Sequence, residues 1–274
     1  MSRTAPAPIT ATLTVPGARL YHEVRGSGPL VVLVGAPMDA AAFAPLADRL
    51  AADHTVLTTD PRGTNRSPLD DPDQDSTPEL RADDLARLVV RVDAGPATVF
   101  GSSGGAVTAL ALVQNHPGLV RAVVAHEPPF AALLPDRERF LAQTDDLIAT
   151  YLGGDALGAW AKFMAQANIE LPEGALEAMF GGHRDPRVLA DERRWFAHEL
   201  RGTVAWRPDL RALRAAADRI VVGIGEGSAG QHCDRVSRAL AAALGTEPVL
   251  FPGDHVGFVG DPERFAARLR PLVR

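Results

Sequence analysis

The chain has 274 residues, 46% of them apolar and 23% charged, with a formal net charge of −6 at pH 7. This is the balance of an ordinary globular protein of one large α/β domain, with or without an inserted subdomain, and it offers no basic stripe for nucleic acid or anionic membrane. Cys233 is the only cysteine, so an intramolecular disulfide is excluded; with an N-terminus, MSRTAPAPITATLTV, that lacks the apolar core of a signal peptide, a cytoplasmic protein is expected.

Short apolar strands alternate with helix-length segments, the pattern of a mostly parallel sheet covered on both faces. TLTV (Thr12 to Val15) and LYHEV (Leu20 to Val24) read as an opening hairpin, followed by the buried-strand runs LVVLV (Leu30 to Val34) and TVLTTD (Thr55 to Asp60). Thr77 and Pro78 start a helix that carries Leu80, Leu85, Leu88, Val89 and Val92 at helical spacing. ATVF (Ala97 to Phe100) is the next strand, Ala106 to Gln114 a helix stopped before Pro117, and VRAVVAH (Val120 to His126) another strand. RIVVGI (Arg219 to Ile224), EPVLF (Glu247 to Phe251) and a last helix from near Pro262, with Phe265, Leu269 and Leu272, complete the alternation and bring the strands to eight.

The interval from Phe130 to Arg207 breaks the pattern. It is helical in spacing and holds all three tryptophans, Trp160, Trp195 and Trp206. An insertion of this kind between two sheet strands reads as a helical lid (130–207) over a core made of 1–129 and 208–274. Its aromatic residues either form the lid's own core or face an apolar pocket beneath it. Trp195 is the lid residue expected at that pocket, with Met38 and Phe130 beside it.

Gly101-Ser102-Ser103-Gly104-Gly105 follows the strand ATVF and precedes an apolar helix, which is the strand, turn, helix setting required of G-x-S-x-G. A sharp turn there lifts the Ser103 hydroxyl above the sheet, and the N–H of Gly104 at the helix start points where an oxyanion would form. The alternative is a phosphate loop or plain tight turn, but no G-K-[ST] follows. Ser102 lacks the framing glycines at minus two and plus two. The second oxyanion donor is expected from the loop Gly35-Ala36-Pro37-Met38, through the N–H of Ala36.

A serine hydroxyl needs a base near neutrality within hydrogen-bond reach. Of the eight histidines, His22, His54, His116, His183, His198 and His232 fall in helical, lid or early-strand contexts. His255, in FPGDHVGFVGDPERF, alone combines a loop after a late strand with the order serine first, histidine last.

The acid that would orient this histidine is less obvious. After RIVVGI, where an aspartate is expected, the chain reads Gly-Glu-Gly-Ser, with Glu226 on a glycine turn and Ser228 beyond it. The tip of the strand VRAVVAH instead carries Glu127, followed by Pro128 and Pro129. With parallel strands about 4.8 Å apart, either tip reaches His255. Prolines restrict the backbone and glycines free it, so Glu127 is preferred and Glu226 stays open. His126 reads as structural and Asp254 as solvated.

These residues resemble the α/β-hydrolase superfamily over nearly the whole chain. DPRGTNRS (Asp60 to Ser67) is similar to that family's D-x-R-G-x-G-x-S turn, with Asn65 in place of the second glycine, a residue that tolerates the left-handed conformation. Asp60 and Arg62 are structural in that reading. GSSGG with AHEPPF and GDHVGFVGDPERF more closely resembles the zearalenone-hydrolase type of lactonase. The likeness implies an α/β-hydrolase fold, Ser103, Glu127 and His255 as a catalytic triad, and hydrolysis of an ester or lactone with no metal or cofactor.

The expected partner is a small, neutral, hydrophobic ester or lactone, macrocycles included, without nucleic acid or membrane, and a homodimer is left open. Three rival readings remain: a carbon–carbon bond hydrolase, a thioesterase on the same triad, and a ligand-binding receptor on a hydrolase scaffold.

Overall fold

Every side chain of Leu30–Val34 and of Ala97–Ser102 is buried, because helices cover both faces of these strands. The computed structural model describes residues 7–273; the first six residues, part of the stretch read for a signal peptide, lie outside it. The strands are β1 (Ile9–Val15), β2 (Ala18–Arg25), β3 (Leu30–Val34), β4 (Thr55–Thr59), β5 (Ala97–Ser102), β6 (Val120–His126), β7 (Ile220–Gly225) and β8 (Val249–Phe251). They form one eight-stranded sheet of order β1-β2-β4-β3-β5-β6-β7-β8. β2 is antiparallel to both β1 and β4, and every pairing from β4 to β8 is parallel. β8 starts two residues later than its apolar run suggested, past Pro248, which has no N–H to give to a ladder.

The helices are α1 (Ala40–Leu50), α2 (Pro78–Val92), α3 (Gly104–Asn115), α4 (Arg137–Leu152), α5 (Ala156–Ala167), α6 (Ala175–Phe180), α7 (Pro186–His198), α8 (Leu200–Ala205), α9 (Leu210–Ala215), α10 (His232–Leu244), α11 (Gly257–Gly260) and α12 (Pro262–Leu269). The Thr77 side chain caps α2 by accepting from the Leu80 N–H at 3.3 Å. Alternation along the strands sends side chains to two cores. Val32 and Val99 pack with Leu85 of α2, Leu110 of α3 and Leu240 of α10. Val31, Leu33 and Phe100 pack on the other face with Phe43 of α1 and Phe265 of α12.

Helices α4 to α8 all lie between β6 and β7 and bury a third cluster that includes Phe140, Leu147, Trp195, Phe196 and Val204. In its midst Glu192 accepts from Tyr151 Oη (3.0 Å), Trp160 Nε1 (2.9 Å) and both terminal nitrogens of Arg184 (2.7 and 2.9 Å). Directed bonds hold this insertion to the sheet layer. Buried Arg81 of α2 donates to Thr108 Oγ1 of α3 (3.1 Å) and Thr203 Oγ1 of α8 (2.8 Å) and faces Glu199. Arg194 of α7 donates to the carbonyls of Pro72 and Gln74 at 2.8 and 2.7 Å.

The turn after β4 also works as a brace. Asp60 Oδ1 accepts from the Ala40 N–H at 3.0 Å, and Arg62 holds both oxygens of Asp84 at 2.6 and 2.8 Å. Asn65 adopts φ 47°, the left-handed conformation that asparagine tolerates. Among the described residues no helix is long and apolar enough to cross a membrane.

Candidate active site

The loops at the carboxyl ends of β3, β5, β6, β7 and β8 converge on one cavity, the position where open parallel sheets bind ligands. At the end of β5, Ser103 sits at φ 56° and ψ −125°, immediately before α3. This backbone is strained for a residue with a Cβ, and strain of this kind is held only by surroundings that over-determine it. The surroundings are visible: a Cβ on Gly101 would lie 2.3 Å from the Gly105 carbonyl, and one on Gly105 would lie 2.1 Å from the Val34 carbonyl. Close passage of β3, β5 and α3 therefore demands glycine at both positions.

Ser103 lines the cavity with Gly104 and Ala36. Gly104 is the first residue of α3, so its N–H has no acceptor within the helix and stands at the positive end of the helix dipole. A Cβ on Gly104 would lie 2.6 Å from the Ala36 carbonyl, which shows how closely the two backbones approach. Ser102 points elsewhere: it is fully buried, with its hydroxyl 3.2 Å from His126 Nδ1.

Glu127 follows β6 with φ 52°, while its N–H stays bonded to the Gly223 carbonyl at 3.0 Å. That turn aims the carboxylate across the tip of β7. Oε1 accepts from the Gly225 N–H at 2.7 Å, and Oε2 is 2.5 Å from His255 Nδ1. Burial alone would raise the Glu127 pKa, but the hydrogen bond and charge of His255 outweigh it and hold the carboxyl at about 2. Burial pushes the His255 imidazole down, whereas Cys233 and the Glu127 carboxylate push it up, and the net shift is upward. Glu226 is exposed, and its backbone N–H donates to the Phe251 carbonyl at 2.9 Å. Asp254, also exposed, accepts from the Val256 N–H at 3.0 Å.

His126 lies under the site without entering it. It is fully buried among Phe100, Phe251 and Phe265, and burial lowers its pKa to about 4, so it is neutral.

The cavity is bounded by Ser103 and His255 on the sheet side and by Phe140, Phe163, Trp195 and Val204 on the insertion. No carboxylate, lysine or arginine lines it among the described residues, which suits an uncharged ligand. Trp195 is at the pocket, as expected from the sequence. Met38 and Phe130 are not. Met38 packs against the core beneath α1, and Phe130 is fully buried edge-on to Trp206 at 5.4 Å. Both stand close to the site in sequence, but their side chains take the inward side of their turns.

Among the lining residues that escaped sequence reasoning, two carry chemistry nearest the triad candidates. His232 and Cys233 open α10, directly after the β7 loop, and so reach the strand tips that a helical residue was not expected to reach. His232 Nε2 is 2.8 Å from the Pro129 carbonyl, and its ring stacks 3.7 Å from that of Phe140. Since a carbonyl only accepts, Nε2 carries the proton; burial keeps this ring neutral, with its pKa lowered to about 4. The available signal was positional: the first turn of a helix after a parallel strand lies at the ligand edge of the sheet.

Residues 28–163 match a family model described as alpha/beta hydrolase fold. The uncharacterized hydrolase YraK of Bacillus subtilis is 33% identical over 267 residues, which cover 96% of this chain and 95% of that protein. Zearalenone hydrolase of Bionectria ochroleuca is 29% identical over 267 residues, 93% and 94% of the respective chains. Among solved structures, the alpha/beta hydrolase MGS-M2 from a Medee basin deep-sea metagenome library superposes with a TM-score of 0.74 at 16% identity, covering 96% of each chain. The enol-lactonase of Burkholderia xenovorans LB400 superposes at 0.63 with 19% identity, covering 96% of this chain and 99% of its own.

Proposed function

The chain belongs to the α/β-hydrolase fold family and is a hydrolase, and from that premise we propose that it cleaves a neutral carboxylic ester or lactone through an acyl-enzyme on Ser103. The observation that carries this reading is the contact between the buried Glu127 carboxylate and the partly exposed His255, 2.5 Å apart, whose imidazole opens on the same cavity as the strained Ser103. Glu127 accepts a hydrogen bond from Nδ1–H, which keeps the proton on Nδ1 and leaves the Nε2 lone pair of His255 free to act as base.

In the first half-reaction Ser103 Oγ attacks the carbonyl carbon as Nε2 accepts its proton. The N–H groups of Gly104 and Ala36 bind the oxyanion. The C–O bond then breaks and His255 returns the proton to the departing alkoxide; in a lactone this alcohol stays tethered to the acyl group. In the second half-reaction water loses a proton to His255, attacks the acyl carbon, and releases the acid with Ser103 restored. The insertion, 130–207, serves as a lid whose apolar inner surface selects the substrate, over a core of 1–129 and 208–274. Support for a lactone comes from the likeness to zearalenone hydrolase and from the largely apolar lining of the cavity, which holds no carboxylate, lysine or arginine among the described residues.

The deciding experiment is hydrolysis of a resorcylic macrolactone beside a p-nitrophenyl acyl ester, with product masses and Ser103→Ala as control. The macrolactone is expected to be the better substrate, with its product heavier by one water. Turnover of the simple ester alone would keep the acyl-enzyme chemistry and remove the lactone; turnover of neither sinks the reading.

The upward shift of His255 makes a pH prediction. The base is the neutral imidazole, and a raised pKa confines that form to higher pH. kcat/KM is therefore expected to fall as pH drops through a midpoint above the ordinary histidine value of 6.5. Cys233 and Glu127 both raise the His255 pKa; Glu127→Gln removes the carboxylate's share, so the acid limb of the residual activity should move to lower pH. An acid limb that stays in place in this variant would count against the pairing.

A further inference from the structure

The carboxylate of Glu127, the thiol of Cys233 and the imidazole of His255 come from three separate segments: the turn after β6, the first turn of α10 and the loop after β8. One ligand atom from each lies within 4.8 Å of the other two. We propose that these three groups form a binding site for a thiophilic divalent cation such as Zn²⁺, and that its occupation switches the hydrolytic site off. The switching rests on the serine-hydrolase reading above; the binding does not.

The donor set is the one borderline-soft cations take: one sulfur, one imidazole nitrogen and one carboxylate oxygen, with a fourth position open to the cavity. Each ligand is prepared. Glu127 is fully buried and anchored through Oε1 to the Gly225 N–H, which leaves Oε2 to turn toward a cation. Cys233 is half-buried, lines the cavity, and sits in the first turn of the 13-residue α10. Bond lengths of about 2.0 to 2.3 Å place tetrahedral ligand atoms about 3.3 to 3.6 Å apart. The His255–Glu127 contact, 2.5 Å in the free protein, would open by about 1 Å, a side-chain adjustment.

The consequence for catalysis follows from the proton count. On binding, the Cys233 thiol gives its proton to solvent. A neutral imidazole has one lone pair. If Nδ1 donates it to the cation, the ring proton moves to Nε2; if Nε2 donates it, Nδ1 keeps the proton. In both cases no nitrogen is left to accept the Ser103 proton. The cation acts here as a reversible inhibitor, and hydrolysis needs none.

The test uses the full chain, both wild type and Ser103→Ala, titrated with Co²⁺. One equivalent is expected to give the near-ultraviolet thiolate-to-cobalt absorption, displaced by Zn²⁺ and lost in Cys233→Ser, with folding checked by circular dichroism. His255→Gln should weaken Co²⁺ binding by at least about 10-fold. Zn²⁺ should stop ester turnover by the wild type, and EDTA should restore it. No thiolate absorption in the folded wild type overturns the proposal, as does a band unchanged in His255→Gln, which would mean a thiol binding alone. A band with undiminished turnover overturns the switching. Metal-free protein that binds Co²⁺ as described but hydrolyses nothing would fault the serine-hydrolase reading and leave the metal site standing.

Discussion

Ser103→Ala and His255→Ala are each expected to lower kcat by about 10⁶-fold, and the double variant by no more than either alone. The reason is that hydroxyl and imidazole act as one unit. Without the base, a serine hydroxyl is a weak nucleophile at neutral pH; without the hydroxyl, the base has no bound proton to take. What should survive is the contribution of the oxyanion donors and of binding, about 10³-fold over water. Ser102→Ala is the internal control, because the Ser102 hydroxyl is fully buried beside His126 and faces away from the cavity. Steady-state kinetics on the preferred ester measure all four variants. A Ser102→Ala loss as large as that of Ser103→Ala, or additive losses in the double variant, would remove Ser103 from the role.

Glu127→Gln is expected to lower kcat by about 10⁴-fold, and Glu226→Gln to leave it near wild type. Glutamine keeps the shape of the side chain and its bond from the Gly225 N–H, but it offers His255 Nδ1 no charge and permits the wrong tautomer. Glu226 is exposed, and it bonds the Phe251 carbonyl through its backbone N–H. The paired measurement separates an acid at the tip of β6 from one at the tip of β7. A large loss in Glu226→Gln with Glu127→Gln unharmed would reverse the assignment.

The two glutamates also show how far a sequence reaches. Choosing Glu127 because prolines follow it and glycines surround Glu226 rested on backbone stiffness. The structure has a different origin for the preference: Glu127 takes a left-handed φ of 52°, and the Gly223 carbonyl and Gly225 N–H fix both its backbone and its carboxylate. Those partners lie nearly a hundred residues away, and no local pattern names them.

The sequence by itself determined the eight strands, the covered parallel sheet, the start of α2 at Thr77 and the turn that strains Ser103. Each of these depends on residues within a few positions of one another, through periodicity, capping and turn chemistry. Only the tertiary structure decided what faces the cavity: Met38 and Phe130 turned away into the cores, while His232 and Cys233 line it. A cavity is bounded by side chains from distant segments, here from loops at five strand ends and an insertion docked by Arg81 and Arg194. Which side of a turn a residue presents to such a space is set by the packing of those segments on one another, because interiors close to crystal density leave each side chain one place to go.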